Sequence, residues 1–266
     1  MNSRELGVRR FGLINGLGLL TLIEREVGRF MAVWMQTLLA PLVTAGLFLA
    51  IFNIAIGPTR GDVMGMPFIE FLAPGILTMT VIQNAFANTS SSMLVSKVQG
   101  NIVDTLMPPL SPMETVVGFV IGGVARGVLV AAGIALGLYV FLGMGMAHPF
   151  LVLAFVVLGS ALLGGIGLIA GIFSNKFDQM AAITNFIVTP LAFLSGTFYS
   201  VTALPPMLQS LSALNPFFYL IDGARFGYLG QSDGNPALGL LVVTACVALT
   251  MGIAWAMLRS GYRLKP

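Results

Sequence analysis

Long stretches without Asp, Glu, Lys or Arg alternate along the chain with short charged breaks. Met31–Thr59 and Phe71–Ser96 carry no charge and Thr115–Ala147 carries only Arg126. Pro149–Asn175, Gln179–Ile221 and Gly234–Leu258 are again charge-free. A helix needs about 20 apolar residues to cross a hydrocarbon core of about 30 Å. The pattern therefore predicts six transmembrane helices, at 31–55, 70–93, 115–142, 150–173, 180–199 and 236–258. The uncharged run Gln179–Ile221 is 43 residues long, too long for one crossing. Its second half holds Pro205, Pro206 and Pro216, which interrupt helices. It predicts a re-entrant pair of short helices between spans five and six, dipping into the outer leaflet and returning. Irregular backbone at that depth survives only when buried in protein or lining a wet cavity, which puts this segment near a pathway or its outer gate.

Before the first run, Leu17, Leu20, Ile23 and Val27 recur at helical spacing among Glu24, Arg25, Glu26 and Arg29. The charges exclude the apolar core of a cleaved signal peptide. The spacing predicts an amphipathic helix lying on the membrane surface.

Composition supports an all-α integral membrane protein. Of 266 residues, 57% are hydrophobic and only 9% charged, with a mean hydropathy of +0.94, against roughly 25% charged in soluble domains. Such a chain cannot cover itself with a polar surface. The net charge of +3 does not point to nucleic acid, because the basic residues flank apolar runs. With the N-terminus in the cytoplasm, the inner side receives Arg4, Arg9, Arg10, Arg25, Arg29, Lys97, Lys176, Arg259, Arg263 and Lys265. The outer side receives only Arg60 and Arg225. This bias predicts a multi-pass membrane protein with both termini inside. One domain covers 1–266: an interfacial segment at 1–30, a six-span bundle at 31–258 and a cytoplasmic tail at 259–266.

Several chemistries are excluded. No Gly-x-x-x-x-Gly-Lys-Ser/Thr loop is present to cradle nucleotide phosphates. One cysteine, Cys246, and one histidine, His148, fall short of the usual zinc ligand count and leave no disulfide framework. No His-Glu-x-x-His or Gly-x-Ser-x-Gly motif occurs, and His148 beside Pro149 reads as a loop residue. No catalytic residue, metal ligand or cofactor is expected on this chain.

The features left are positional. In the loop after the second span, Val98, Ile102, Thr105 and Leu106 make an apolar stripe on a short helix stopped by Pro108 and Pro109. Ser111, Pro112 and Glu114 form an N-terminal cap for the next helix. This loop suits either a docking element or a connector resting on the membrane. Asn84, Asn88 and Ser91 share one helix face, as the wall of a polar pathway or as interhelical hydrogen-bond donors and acceptors. Arg126 lies deep in the third span, as a substrate contact or a structural anchor. Gly118/Gly122, Gly123/Gly127, Gly133/Gly137 and Gly167/Gly171 have the spacing of close helix packing. Asp222 and Arg225, three residues apart, pair at the gate or form a plain surface salt bridge.

The run Pro190-Leu-Ala-Phe193-Leu-Ser195-Gly196-Thr-Phe198-Tyr199, followed by Leu204-Pro205-Pro206, Asn215-Pro216-Phe-Phe-Tyr219 and Asp222-Gly-Ala-Arg225, resembles the permease subunits of bacterial type-2 ABC exporters. Phe71-Leu-Ala-Pro74-Gly75 and the loop Gly100–Pro109 add to the resemblance, which covers nearly the whole chain. It implies a permease that dimerises and binds a separate nucleotide-binding ATPase subunit carrying ATP-Mg. It implies a coupling helix at Gly100, Ile102, Asp104, Thr105, Leu106, Pro108 and Pro109. The outer re-entrant helices would include Leu204, Pro205, Pro206, Asn215, Pro216, Tyr219, Asp222 and Arg225. The implied activity is export of a lipid-linked, glycan or drug-like substrate. Many relatives carry Pro where Ser200 stands, so the turn there is expected to differ. Two other classes stay open on the residues alone: an ion-coupled transporter, which would want a mid-span acid that is missing, and a non-transporting membrane scaffold.

Overall fold

The computed structural model describes residues 14–264, so the expectations placed on Arg4, Arg9, Arg10 and Lys265 lie outside the described residues. These residues form an all-helical bundle with no strand among them. Helix α1 (Gly16–Met31) is capped by Asn15, whose side chain accepts from the Gly18 N–H at 3.0 Å. A π-turn at Met35–Leu39 leads into α2 (Ala40–Ala55), and a short α3 (Gly57–Arg60) follows. Then come α4 (Phe68–Val98), α5 (Ile102–Leu106), α6 (Pro112–Leu142), α7 (Pro149–Phe173), α8 (Phe177–Ile183) and α9 (Thr189–Phe193). The chain closes with α10 (Pro206–Leu214), α11 (Pro216–Leu229) and α12 (Pro236–Ser260).

Five of these stretches are long and apolar enough to cross a membrane: Met35–Ala55, Phe68–Val98, Pro112–Leu142, Pro149–Phe173 and Pro236–Ser260. The stretch expected to cross at 180–199 is shorter. α8 and α9 are joined by a π-turn at Thr184–Val188, and the helical rod ends at Phe193, where Leu194 leaves helical geometry.

Both π-turns have the same local cause. Pro41 follows the first by two residues and Pro190 follows the second by two. A proline offers no N–H to the carbonyl four residues back, and its ring crowds that carbonyl. The ladder widens by one residue just before the proline.

The centre of the bundle is α4 packed on α7, with α6 against both. Phe71, Leu77, Ile82 and Leu94 of α4, Phe119 of α6 and Phe155 and Leu163 of α7 are fully buried. Small residues set the separation. A Cβ on Gly171 would meet the Ser90 carbonyl at 3.0 Å, and one on Gly127 would strike the Ser160 hydroxyl. A Cβ on Gly118 or Gly122 would collide with Leu22 or Glu26 of α1. These glycines work within one chain, admitting helices α1, α4 and α7. Gly137 meets nothing within 4 Å.

The cap predicted for the third span is present. Ser111 Oγ accepts from the Glu114 N–H at 3.3 Å and Glu114 Oε2 accepts from the Ser111 N–H at 2.6 Å. Glu114 Oε1 also accepts from the Asn15 N–H at 2.6 Å, so the starts of α1 and α6 are tied by one carboxylate. Lys97 donates to the carbonyls of Ile172 and Ser174, both at 2.7 Å, placing a cation on the unpaired carbonyls at the C-terminus of α7.

Candidate functional site

Three regions along α4 carry the residues of interest. At its C-terminal end, α5 sits below α1. Ile102 and Thr105 are buried and hold α5 to the bundle. Val103, Leu106 and Met107 are exposed, as are Gly100, Asp104, Pro108 and Pro109. The apolar stripe expected over Val98, Ile102, Thr105 and Leu106 is thus divided. Two of its members anchor the helix and two face outward. Arg25 of α1 donates to Thr105 Oγ1 at 3.0 Å.

The amphipathic face of α1 also differs from the expectation. Leu17 and Leu20 are exposed, and the buried stripe is Leu22, Glu26 and Phe30. One acid lies in this otherwise apolar stripe, where a charge survives only if partners meet it. Glu26 is fully buried. Its Oε1 accepts from Ser92 at 2.8 Å and Arg25 at 3.2 Å, and its Oε2 lies 3.4 Å from Arg29 Nη2. Arg29 reaches further, donating to Asn88 Oδ1 at 2.9 Å, the Asn88 carbonyl at 2.7 Å and Ser91 Oγ at 3.3 Å. Sequence reasoning took Glu26 and Arg29 only as flanking charges. The available signal was that Leu22, Glu26 and Phe30 recur every four residues.

Midway along α4, Asn84 accepts from Arg126 Nη2 at 2.9 Å, and its own amide donates to the Thr80 carbonyl at 2.9 Å. The face Asn84, Asn88 and Ser91 therefore makes interhelical bonds, to two different arginines. A guanidinium at mid-span costs about 2.5–3.5 kcal/mol on insertion scales, and one neutral hydrogen bond offsets only part of that. Asn84 and Gln83 line two cavities. One, of about 380 Å³, opens between α2, α4 and α6 beside Gln36, Thr44, Phe48, Arg126 and Phe198. The other, of about 440 Å³, lies between α4 and the α8–α9 rod and is bordered by Ser90, Ser91, Thr184 and Val188. Each π-turn contributes to one cavity wall, Gln36 from the first and Thr184 and Val188 from the second. Widened turns of this kind are frequent at functional sites.

At the N-terminal end of α4, the Pro-rich segment folds into α10 and α11. Pro205 and Pro206 start α10, and Gln209 donates to the Leu204 carbonyl at 2.7 Å. Asn215 caps α11 by accepting from the Phe217 N–H at 3.0 Å, with Pro216 in the first turn, and its amide donates to the Leu191 carbonyl at 2.7 Å. Tyr219 donates to the Ala213 carbonyl at 2.9 Å.

Asp222 and Arg225 are both buried, which corrects the plain surface salt bridge. Their nearest charged atoms are 4.0 Å apart. Each has closer partners: Asp222 accepts from the Asp233 and Gly234 N–H groups at 2.8 and 2.9 Å, and Arg225 donates to the Gly196 carbonyl at 2.7 Å. Asp233 in turn accepts from the Ser200 hydroxyl at 2.6 Å and the Val201 N–H at 2.9 Å. His148 stacks on Phe226 at 5.3 Å in an exposed turn. Among the described residues no group of three or more His, Cys, Asp or Glu is placed to hold a metal ion.

Comparison with known proteins gives the same direction. A family model described as ABC-2 type transporter matches residues 18–229. The chain is 36% identical over 242 residues to the inner membrane transport permease YadH of Escherichia coli K12, covering 91% of this chain and 94% of the relative. It is 24% identical over 251 residues to nodulation protein J of Rhizobium leguminosarum bv. viciae, covering 92% and 95% of the two chains. It is 28% identical over 192 residues to nodulation protein J of Sinorhizobium fredii, covering 70% and 71%. A bundle with several membrane-length helices, a match across most of its length and a relative of this similarity agree: the chain belongs to the ABC-2 type transporter family of membrane proteins.

Proposed function

We propose that this chain is the permease subunit of an ATP-driven exporter in the bacterial inner membrane, working as a homodimer with a separate nucleotide-binding ATPase. The observation that carries this is α5. It is pinned to the bundle by Ile102 and Thr105 while Val103, Asp104, Leu106 and Met107 stand exposed, as a docking helix must. Thr105 also bonds to α1, and α1 bonds to the polar face of α4, so a push on α5 has a bonded route to the cavities. In this reading the α8–α9 rod makes the fifth of six crossings. Its seven, five and five residues span about 25 Å at 1.5 Å per residue, and the remaining depth is completed by the segment before α10. The α10–α11 pair then re-enters the outer leaflet, and both termini lie in the cytoplasm. The exposed Leu17 and Leu20 of α1 rest on the membrane surface. The cargo is a lipid-linked, glycan or hydrophobic drug-like molecule moving from the cytoplasm or inner leaflet, through rigid-body exchange between two access states.

Co-expression with a candidate ATPase tests the reading. Purified alone, the permease will hydrolyse no ATP. In the complex, Asp104→Arg and Leu106→Arg should abolish stimulation of the partner ATPase while the bundle melts as before. Transport that persists when the proton gradient is collapsed but ATP is present separates this from ion coupling. Unchanged ATPase stimulation in both variants would remove the docking role.

A further inference from the structure

We infer that Arg126 is a binding subsite for the oxyanion headgroup, phosphate or carboxylate, of an amphiphilic cargo. This rests on the permease reading for its purpose, though not for its geometry.

The arginines of this bundle are not equivalent. Arg25 and Arg29 share the carboxylate of Glu26 at 3.2 and 3.4 Å. Arg225 has Asp222 at 4.0 Å and the Gly196 carbonyl at 2.7 Å. Arg126, in the middle of α6, forms no ion pair among the described residues. A guanidinium offers five donors, and among the described residues Arg126 makes a single hydrogen bond, to the neutral Asn84 Oδ1 at 2.9 Å. Its Nε is buried without a partner. Asn84 is itself held by the Thr80 carbonyl, so its oxygen is fixed toward Arg126.

The unsatisfied cation borders the cavity of about 380 Å³, whose wall combines two kinds of surface. Gln36, Thr44 and Gln83 supply neutral hydrogen-bonding groups, while Phe48, Met79 and Phe198 supply an apolar wall. A positive fork with free donors matches an oxyanion in shape and charge. An apolar wall beside it matches an alkyl or prenyl chain. A neutral sugar would leave the guanidinium uncompensated, and a cationic drug would be repelled.

The full-length permease in phosphatidylcholine nanodiscs tests this without ATP or an ATPase. Three probes are titrated: dodecyl phosphate, inorganic phosphate and dodecyl maltoside. Dodecyl phosphate should bind wild type, and Arg126→Gln should weaken it by about tenfold or more. Arg126→Lys should retain part of the affinity. Asn84→Asp supplies an internal counter-ion, so it should lose dodecyl phosphate binding while melting at or above the wild-type temperature, which guards against a folding artefact. Equal binding of dodecyl maltoside, undiminished binding in Asn84→Asp, or an Arg126→Gln variant that binds as wild type would each overturn the inference. Inorganic phosphate binding as tightly as dodecyl phosphate would make the ligand a free anion and overturn the amphiphile. If anion binding fails while ATP-driven transport persists, only this subsite falls. If no ATPase associates while Arg126-dependent binding holds, the permease reading falls and the subsite stands.

Discussion

The guanidinium of Arg225 lies 3.9 Å from the ring centroid of Phe71. Phe71 is in the first turn of α4 and fully buried, so one side chain of α11 touches α4, the Gly196 turn and Asp222 together. A cation desolvated against an aromatic face gains about 2 kcal/mol from that contact. Arg225→Ala should destabilise the protein by on the order of 3 kcal/mol, because it leaves Asp222 and the Gly196 carbonyl buried with one fewer partner. Arg225→Lys should recover less than half, since an ammonium cannot lie flat on Phe71 while reaching Gly196. Thermal unfolding of the purified protein reads both. Wild-type melting of Arg225→Ala would show that the contact is idle.

Glu26 is the second place where one side chain ties several helices. Glu26→Ala should cost about 1–3 kcal/mol, the penalty for stranding the groups that bond to it, Ser92 and Arg29 among them. Glu26→Gln should cost less, because an amide still accepts from Ser92. A cysteine placed at Leu22, on the buried face of α1, should become reactive to a soluble maleimide in the Ala variant only. Equal protection in both would mean that α1 is held by its apolar contacts alone.

The small-x-x-x-small pairs read identically in sequence and should behave differently. A Cβ on Gly167 would lie 2.5 Å from the Phe86 carbonyl oxygen and would also strike the Thr89 hydroxyl. Gly167→Ala should therefore cost about 1–3 kcal/mol through overpacking. Gly137 has open space, and Gly137→Ala should be neutral or stabilising by up to about 1 kcal/mol from helix propensity. Paired melting curves decide it, and equal shifts would contradict the packing described.

Ser200 precedes the short helical turn Val201–Ala203. Its φ of −74° already suits a pyrrolidine ring, and its backbone N–H donates no hydrogen bond among the described residues. Ser200→Pro removes the bond from the hydroxyl to Asp233, worth about 1 kcal/mol. It recovers a similar amount from lost freedom in the unfolded chain. The variant should melt close to wild type. A large loss of stability would show that the Ser200–Asp233 bond holds this turn by itself.

Much of the architecture was open to reading because it depends on quantities that run along the chain. Crossing a bilayer depends on the summed transfer free energy of about 20 consecutive residues. Charge-free runs therefore located the helices that became α2, α4, α6, α7 and α12. A helix cap is an exchange between residues three apart, so Ser111 and Glu114 announced the start of α6. The breaks at Pro205, Pro206 and Pro216 announced that the 43-residue uncharged run Gln179–Ile221 would divide into short helices, α10 and the start of α11 among them.

The rest was decided by which helix faces meet, and adjacency along the chain holds no record of that. Asn84 and Arg126 are 42 residues apart, and Arg29 and Asn88 are 59 apart. Their charges and polarity are plain in the sequence, but their pairings exist only once α1, α4 and α6 have packed. The same packing buried Glu26 of α1, drew Asp222 and Arg225 out of solvent, and gave Glu26 to two arginines while leaving Arg126 without a counter-ion among the described residues. In lipid, apolar faces gain little by hiding from one another. Close-packed glycines and satisfied polar groups then choose the arrangement, and both are properties of three-dimensional fit.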